Sequence, residues 1–247
     1  INPLYGFFVA RAGLGASESM RSKLAEYNDP RLSRAFITKQ GTSGKEQAPG
    51  TADNAVYAPN GTPEQGTSKY GTSLFMYSIS APTLLLSYHE LKFLEAEALC
   101  RLERDAKSAL KDAVVAGLLN AETAYYFKKE LGKTLINAAS SITEAEAESY
   151  FDNTIEAKYT AEPLKTTMTQ KYFALWGASG EATESYNDVR RMKGLGENFI
   201  ELKNPNSFPL RCPYGNSDTT TNAEVKAAYG NGQYVYSENV WWAGGSR

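Results

Sequence analysis

The stretch SYHELKFLEAEALCRLERD, residues 87–105, carries the clearest structural pattern in the chain. Its apolar residues recur every three or four positions, which predicts one long helix over residues 83–103. One stripe contains Leu91, Leu94, Ala98 and Leu102, and an adjoining face contains Phe93, Ala96 and Cys100. Because apolar residues cover such a broad side, we expect this helix to be buried along it.

The same stretch contains His89, the only histidine of the chain, together with Glu90, Glu95, Glu97 and Glu103. In the zinc motif His-Glu-x-x-His two histidines one helical turn apart bind one metal ion, but the second position here is Phe93. Interspersed basic residues are typical of a solvated or salt-bridged helix face. The pattern therefore predicts an ordinary surface histidine and structural glutamates, with no metal site and no catalytic residues.

A second helix is expected directly after the first, because Asp105 is suited to be its N-cap. Its apolar stripe contains Leu110, Val114 and Leu118. Two helices joined by so short a link form an antiparallel hairpin, the unit of helical repeats. Four further helices are predicted: residues 122–131, a helix capped at Thr143 with the stripe Ala147, Phe151, Ile155 and Tyr159, a helix that begins at Pro163, and residues 181–193.

The two ends of the chain differ from this helical middle. Residues 39–73 are rich in Gly, Thr, Ser, Pro and Asn, which indicates a long surface loop, and residues 74–79 fit a short strand. After Gly196 the sequence becomes irregular again. We therefore predict a mainly α fold of tetratricopeptide-like helical hairpins, with long irregular loops and little β structure. It comprises a loop-rich segment 1–82, a helical core 83–195 and an irregular segment 196–247.

The composition restricts the possible partners. The chain has 26 Lys plus Arg against 28 Asp plus Glu and a net charge of −2 at pH 7. This balance gives no basic surface for a phosphate backbone, so nucleic acid is not expected as a partner. No apolar run reaches the roughly 18–20 residues that a membrane span requires. The sequence indicates no cofactor.

Aromatic residues make up 12% of the chain, which is more than a core alone usually requires. Exposed aromatic rings can stack on the C–H faces of sugars while neighbouring polar groups bind the hydroxyls. Tyrosines and a phenylalanine in or beside the long loop, and two tryptophans that also fit a core edge, are therefore the candidate ligand-binding residues. They are Tyr57, Tyr70, Phe75, Tyr77, Trp241 and Trp242.

Several short motifs resemble those of the SusD/RagB family, in the family's order and over most of the chain. They are Asp29-Pro30-Arg31-Leu32, the helix from Tyr88 to Ala98, Gln170-Lys171-Tyr172 with Trp176, Asn187-Asp188-Val189-Arg190-Arg191, and Pro209-Leu210-Arg211 with Tyr214 and Asn222. The resemblance implies a SusD-like outer-membrane lipoprotein of which this chain is the C-terminal portion. The family's N-terminal half, with its lipidated cysteine and most of its tetratricopeptide-like helices, has no counterpart in these residues.

This resemblance implies a non-catalytic, cell-surface glycan-binding protein that assists nutrient uptake. The implied partners are an oligosaccharide or polysaccharide and a SusC-like TonB-dependent outer-membrane transporter, with membrane contact only through a lipid anchor outside this chain. Two alternatives remain open. One is a helical-repeat adaptor that binds proteins or peptides, and the other is a carbohydrate-active hydrolase that uses Glu90 or Glu97 as a catalytic carboxylate.

Overall fold

The computed structural model describes residues 3, 15–33, 35–37, 57–61, 70–73, 82–126, 142–203 and 207–245, with only the backbone at 37, 72–73, 122–126 and 179. The chain forms two compact units, Ile1–Lys203 and Asn204–Arg247. The division into segments 1–82, 83–195 and 196–247 stays a prediction. The strand predicted at 74–79 lies outside the described residues.

In its described part, the first unit contains helices α1 Glu18–Glu26, α2 Tyr88–Arg101, α3 Lys107–Tyr126, α4 Glu144–Tyr150, α5 Glu156–Ala161, α6 Pro163–Ala174 and α7 Ala182–Gly194. A π-helix, Phe151–Ile155, joins α4 to α5, and 3-10 helices occur at Pro30–Ser33 and Ser179–Glu181. Strands β1 Phe36–Ile37 and β2 Thr72–Ser73 pair antiparallel. The described residues are therefore mainly helical with little β structure, as predicted.

Helices α2 and α3 form the hairpin that the sequence predicted. Ser87 caps α2, because its Oγ accepts a hydrogen bond from the backbone N–H of Glu90 at 3.1 Å. After α2 the backbone turns through Glu103, which has a left-handed φ of 54°. Asp105 Oδ1 then accepts a hydrogen bond from the N–H of Lys107 at 3.0 Å, so the predicted cap does begin the second helix.

Helix α3 is longer than predicted. It continues to Tyr126, whereas the sequence had suggested a separate helix from residue 122. Residues 115–126, VAGLLNAETAYY, contain no proline and one glycine, so nothing in them stops a helix. A Cβ atom at that glycine, Gly117, would lie 3.0 Å from the Cβ of Ala174 in α6. The glycine therefore permits a close approach of α3 and α6.

The apolar core of the first unit lies where α3 packs against α2, α4 and α6. The predicted stripe of α3 is confirmed, because Leu110, Val114 and Leu118 are all buried. The largest fully buried side chains include Phe36, Phe93, Phe151, Phe173 and Leu24. Full burial of one such side chain stabilises the fold by about 1.5–3 kcal/mol.

The π-helix explains how the apolar stripe predicted for the helix capped at Thr143 stays buried along its whole length. Ala147, Phe151, Ile155 and Tyr159 are all buried, as predicted. Their spacing of four residues exceeds the 3.6 residues of an α-helical turn, so on a regular α-helix the stripe would drift by about 40° at each step. The wider turn of Phe151–Ile155 takes up part of this drift. The spacing in the sequence and the irregular helix therefore agree.

The buried side of α2 agrees only in part with the predicted one, because Phe93 and Ala96 of the predicted adjoining face are buried. The predicted stripe is exposed, with Leu91 at 53%, Leu94 at 41% and Leu102 at 63%. The side that packs against α3 and α6 instead contains His89, Glu90, Phe93, Ala96 and Glu97. The prediction of a surface histidine is therefore wrong, since His89 is 2% exposed. Counting apolar residues misled the prediction because the polar residues of this helix have buried partners.

A network of charged side chains joins α2 to α6 and α7. Glu97 on α2 accepts hydrogen bonds from Arg101 Nε at 2.7 Å and from both terminal nitrogens of Arg191 at 2.5 and 2.9 Å. Buried Lys171 on α6 contacts Asp188 at 2.8 Å. The charged network consists of Glu97, Arg101, Lys171, Asp188, Arg191 and Glu197, the last of which accepts two bonds from Arg101 at 2.9 and 3.0 Å. Its three cations match its three anions.

The charged network fixes the ionisation of Glu97. Burial by itself would raise the pKa of Glu97, but hydrogen bonds from Arg191 and Arg101 outweigh burial, and the pKa lies below its ordinary value. The contribution of Glu97 to stability is therefore complete above its unfolded pKa and is lost as the pH falls through the folded value. Arg191 therefore has a structural role, because it holds the carboxylates of Glu97 and Asp188.

The described part of the second unit contains α8 Asn216–Thr221, α9 Ala223–Tyr229 and a 3-10 helix, Trp241–Ala243. Asn222 separates the first two, and its Oδ1 accepts hydrogen bonds from the N–H groups of Glu224 and Val225 at 3.0 and 3.3 Å. Tyr214 stacks on Tyr229 with ring centroids 4.4 Å apart. Local capping and aromatic stacking therefore order this short unit.

We expect Glu97→Gln to destabilise the protein by roughly 3 kcal/mol, because it leaves Lys171 and Arg191 without their shared carboxylate in a largely buried site. Glu95→Gln, on the exposed side of α2, is the matched control and should change the free energy of unfolding by less than about 0.5 kcal/mol. Urea denaturation at pH 7 measures both variants. Equal losses for the two would contradict the role assigned to the charged network.

Candidate functional site

A cleft of about 530 Å³ opens between residues 28–33 and the helical segment 146–154. Its lining is Asn28, Asp29, Pro30, Leu32, Ser33, Glu146, Ser149, Tyr150, Asn153 and Thr154, and we call it the polar cleft. One wall contains Asp29-Pro30-Arg31-Leu32, which the sequence offered only as a family motif. The other wall begins more than a hundred residues later, which is why sequence reasoning missed the cleft.

The floor of the polar cleft is a buried ion pair. Asp29 and Arg31 are 2% and 3% exposed, and the carboxylate of Asp29 accepts hydrogen bonds from Arg31 Nε at 2.8 Å and Nη2 at 2.6 Å. The same carboxylate accepts the backbone N–H of Arg31 at 2.9 Å. A bidentate arginine pair has a defined geometry, so it holds this short segment in one conformation.

Tyr150 connects the floor to the opposite wall. Its hydroxyl donates a hydrogen bond to Asp29 Oδ2 at 3.3 Å. Burial, followed by the negative charge of Asp29, raises the pKa of Tyr150 well above its ordinary value. The hydroxyl therefore stays protonated at neutral pH and remains a donor to Asp29.

The rim of the polar cleft carries neutral polar groups. Asn28, Ser33, Ser149 and Asn153 are exposed. Asn153 Nδ2 donates hydrogen bonds to the backbone oxygen and the Oγ of Ser149, both at 2.9 Å. Asn28 has a left-handed φ of 50°, and Asn153 and Thr154 belong to the π-helix. Both walls therefore contain an irregular backbone.

A second polar group lies at the start of α2 and is buried. His89 Nε2 lies 3.2 Å from Ser87 Oγ and 3.8 Å from Glu181 Oε2. Glu181 is 1% exposed and accepts a hydrogen bond from the backbone N–H of Ser87. Glu90, 6% exposed, is the third acidic or basic member of this buried group. These residues pack inside the fold, so this group is structural.

The ionisation of the buried group follows from its burial. Burial, and then the positive charge of Arg31, lowers the pKa of His89 to about 4, so the imidazole is neutral at pH 7. Burial and the nearby carboxylate of Glu181 raise the pKa of Glu90 to about 7. His89 contributes stability above about pH 6.5 that is lost as the pH falls toward 4, whereas the contribution of Glu90 is lost as the pH rises.

The structure places the predicted ligand-binding residues in different environments. Trp241 and Trp242 are each 70% exposed, and their rings meet at 86° with centroids 5.5 Å apart. Tyr57 is half-buried against Phe36, and Tyr70 is buried at 7% exposure. Phe75 and Tyr77 lie outside the described residues. The assignment of these residues to ligand binding stays a prediction.

The two glutamates considered for hydrolysis are enclosed. Glu90 is 6% exposed and Glu97 is 4% exposed, and the latter is held by the charged network. A glycosidase requires two carboxyl groups that flank an accessible sugar bond. Neither carboxyl is open to a substrate in this arrangement.

Among the described residues, no group of three or more His, Cys, Asp or Glu side chains is placed to hold a metal ion. Within the same part of the chain, every helix is too short or too polar to span a bilayer.

The described residues thus combine a helical scaffold, an open polar cleft and an exposed pair of tryptophans. A model of the SusD-like family, described as "Starch-binding associating with outer membrane", matches residues 2–214. The chain therefore belongs to the SusD-like family. The family's description also confirms the predicted location at the outer membrane.

The solved structures that are similar to this chain include two from Bacteroides species. A SusD/RagB family protein from Bacteroides thetaiotaomicron has 62% sequence identity and a TM-score of 0.89, over 100% of this chain and 53% of that one. A SusD homologue from Bacteroides fragilis has 18% identity and a TM-score of 0.64, over 98% of this chain and 55% of that one, and shows the fold alone. The chain thus spans about half the length of both. No curated protein matches it.

The stability of Glu90→Gln relative to the unchanged protein should depend on pH. The folded pKa of Glu90, about 7, lies above its ordinary value of 4.5, so the folded protein binds this proton more tightly. The stabilising contribution is complete below about pH 4.5 and is lost as the pH rises through 7. Glutamine cannot ionise, so between pH 4.5 and 8 we expect the free energy of unfolding of the variant to rise by roughly 3 kcal/mol relative to that of the unchanged protein.

Urea denaturation at several pH values measures this difference, and the comparison with the unchanged protein removes the opposite contribution of His89. Glu95→Gln is the matched control on the exposed side of α2. Its difference from the unchanged protein should stay within about 0.5 kcal/mol. A difference for Glu90→Gln that does not vary with pH would show that burial and Glu181 do not raise the pKa of Glu90.

Proposed function

We propose that the protein is a non-catalytic, cell-surface glycan-binding protein that assists nutrient uptake. The observation that carries this proposal is the family match over residues 2–214, whose description names starch binding and the outer membrane. The ligand is an oligosaccharide or polysaccharide, and starch-type oligosaccharides are the first class to test. A SusC-like TonB-dependent transporter is the partner, and a lipid anchor outside this chain attaches the protein to the membrane.

The physical character of the first unit supports a binding role. The charged network and the buried ion pair of Asp29 and Arg31 fix helices and short loops in place before any ligand arrives. A scaffold that is already ordered loses little conformational freedom on binding, so more of the contact energy appears as affinity. Flexible, polar ligands such as oligosaccharides benefit most from such a scaffold.

The tryptophan pair of the second unit supports contact with sugars. Both indole rings are 70% exposed, which leaves large flat surfaces open to solvent. Because the rings meet at 86°, they present flat faces in two directions. Aromatic faces of this kind stack on the C–H faces of sugars, and the indole N–H supplies a donor for a hydroxyl.

One alternative keeps a specific observation in its favour. A helical-repeat adaptor requires an exposed apolar surface, and Leu91, Leu94 and Leu102 form such a stripe on α2. The hydrolase alternative has lost the two carboxylates on which it depended, since Glu90 and Glu97 are buried. Sugar binding separates the adaptor from the proposed function, because an adaptor is indifferent to sugars.

We expect the purified chain to bind maltoheptaose without cleaving it. Isothermal titration calorimetry measures binding, and an assay of reducing ends in the same samples measures turnover. Further oligosaccharides of different linkage test whether starch is the right class. Release of reducing ends would contradict the non-catalytic role, and failure to bind any oligosaccharide in the set would contradict glycan binding.

The contribution of the tryptophan pair is measured with the same ligand. We expect Trp241→Ala combined with Trp242→Ala to weaken binding of maltoheptaose about tenfold, which corresponds to roughly 1.4 kcal/mol. Tyr236→Ala, which removes another exposed ring of the second unit, is the matched control and should leave the affinity unchanged. If the double variant and Tyr236→Ala weaken binding of maltoheptaose equally, the tryptophan pair has no specific role in sugar binding.

A further inference from the structure

We propose that the polar cleft is a binding site for a neutral, hydroxyl-rich ligand, namely a short segment of oligosaccharide, an inference that rests on the proposed glycan-binding function. The cleft volume of about 530 Å³ lies within the range of roughly 300–1,000 Å³ that is typical of small-ligand sites. The cleft is open on one side. An open site of this size suits a few sugar units of a longer chain.

The polar groups of the cleft match the chemistry of sugar hydroxyls. Ser33, Ser149 and Thr154 contribute hydroxyl groups, and Asn28 and Asn153 contribute amides. Hydroxyls and amides both donate and accept hydrogen bonds, as sugar hydroxyls do. Pro30 and Leu32 add apolar surface for the C–H groups of the sugar ring. A ligand with alternating hydroxyl and C–H groups would therefore find partners for both.

The charges of the cleft argue against other small ligands. None of the described residues that line it is Lys, Arg or His, so a phosphate or carboxylate ligand would find no opposite charge there. Hard cations require several oxygen ligands. The carboxylate of Asp29 already accepts hydrogen bonds from Arg31 and Tyr150, which leaves Glu146 as the other carboxylate of the lining. A neutral polar ligand fits this balance best.

Two independent backbone irregularities meet at this one cleft. Asn28 holds a left-handed φ of 50°, a conformation that is uncommon outside glycine. On the opposite wall, Asn153 and Thr154 belong to the π-helix, a form that occurs frequently at functional sites. Each irregularity has an energetic cost, and strained segments persist where the surrounding structure holds them. Here both irregular segments place amide or hydroxyl side chains in the cleft lining.

The test uses two cleft variants of the complete chain and maltotriose as the probe. Asn153→Ala combined with Ser33→Ala removes one exposed polar group from each wall, and Ser149→Trp fills the cleft. The matched control, Asn187→Ala combined with Ser217→Ala, removes the same groups from exposed positions elsewhere. Calorimetry measures affinity, thermal unfolding checks folding, and hydrogen–deuterium exchange with maltotriose locates the contact.

We expect both cleft variants to bind maltotriose at least tenfold more weakly than the unchanged protein and the control. Residues 28–33 and 146–154 of the unchanged protein should exchange more slowly when maltotriose is present. If the unchanged protein binds but the cleft variants bind equally well and exchange in these segments does not change, the cleft is not the site and the proposed function stands. If the unchanged protein binds no oligosaccharide, both the site and the proposed function are wrong.

Discussion

The buried carboxylate of Glu97 is the constraint on which the helical part of the first unit depends. A charge that is removed from water must be paired, and this one is paired by Arg191 and Arg101, with Lys171 nearby at 4.0 Å. The partners belong to α2, α6 and α7, so a shift of any of these helices would leave a charge without its partner. The two-point contact between Glu97 and Arg191 has a defined geometry, so it adds a directional constraint to the apolar packing.

The same requirement explains which parts of the fold were predictable. Where burial is apolar, as in the stripe of Leu110, Val114 and Leu118, the spacing of residues in the sequence identified the buried side. Capping by Asp105 was equally predictable from the sequence, because a helix cap depends on residues that are close in the sequence. On α2 the buried side carries His89, Glu90 and Glu97. Their partners are distant in sequence, so the apolar pattern identified Phe93 and Ala96 but placed the exposed leucines of this helix on the buried side as well.

The polar cleft was unpredictable for a related reason. A hydrogen bond joins its walls through Tyr150 and Asp29, which lie 121 positions apart in the sequence. The pattern of neighbouring residues in the sequence cannot predict a contact between residues so far apart. The irregular backbone was only indirectly visible, as the four-residue spacing of Ala147, Phe151, Ile155 and Tyr159. The sequence identified aromatic residues as candidates for ligand binding. It did not show which of them are exposed, because exposure depends on tertiary packing: Trp241 and Trp242 are exposed, whereas Tyr70 is buried.

The π-helix also determines how this region tolerates changes in length. A wide turn accommodates one residue more than a regular helix over the same span. Deleting a single codon between Phe151 and Ile155 would therefore allow an uninterrupted α-helix from α4 through α5 with the later side chains near their present positions. Tyr159 would stay in the core, where its hydroxyl accepts a hydrogen bond from the N–H of Ala106 at 2.8 Å. The same deletion inside a regular helix such as α3 would turn every later side chain by about 100°, so the loss of a residue is easier to accommodate at the π-helix.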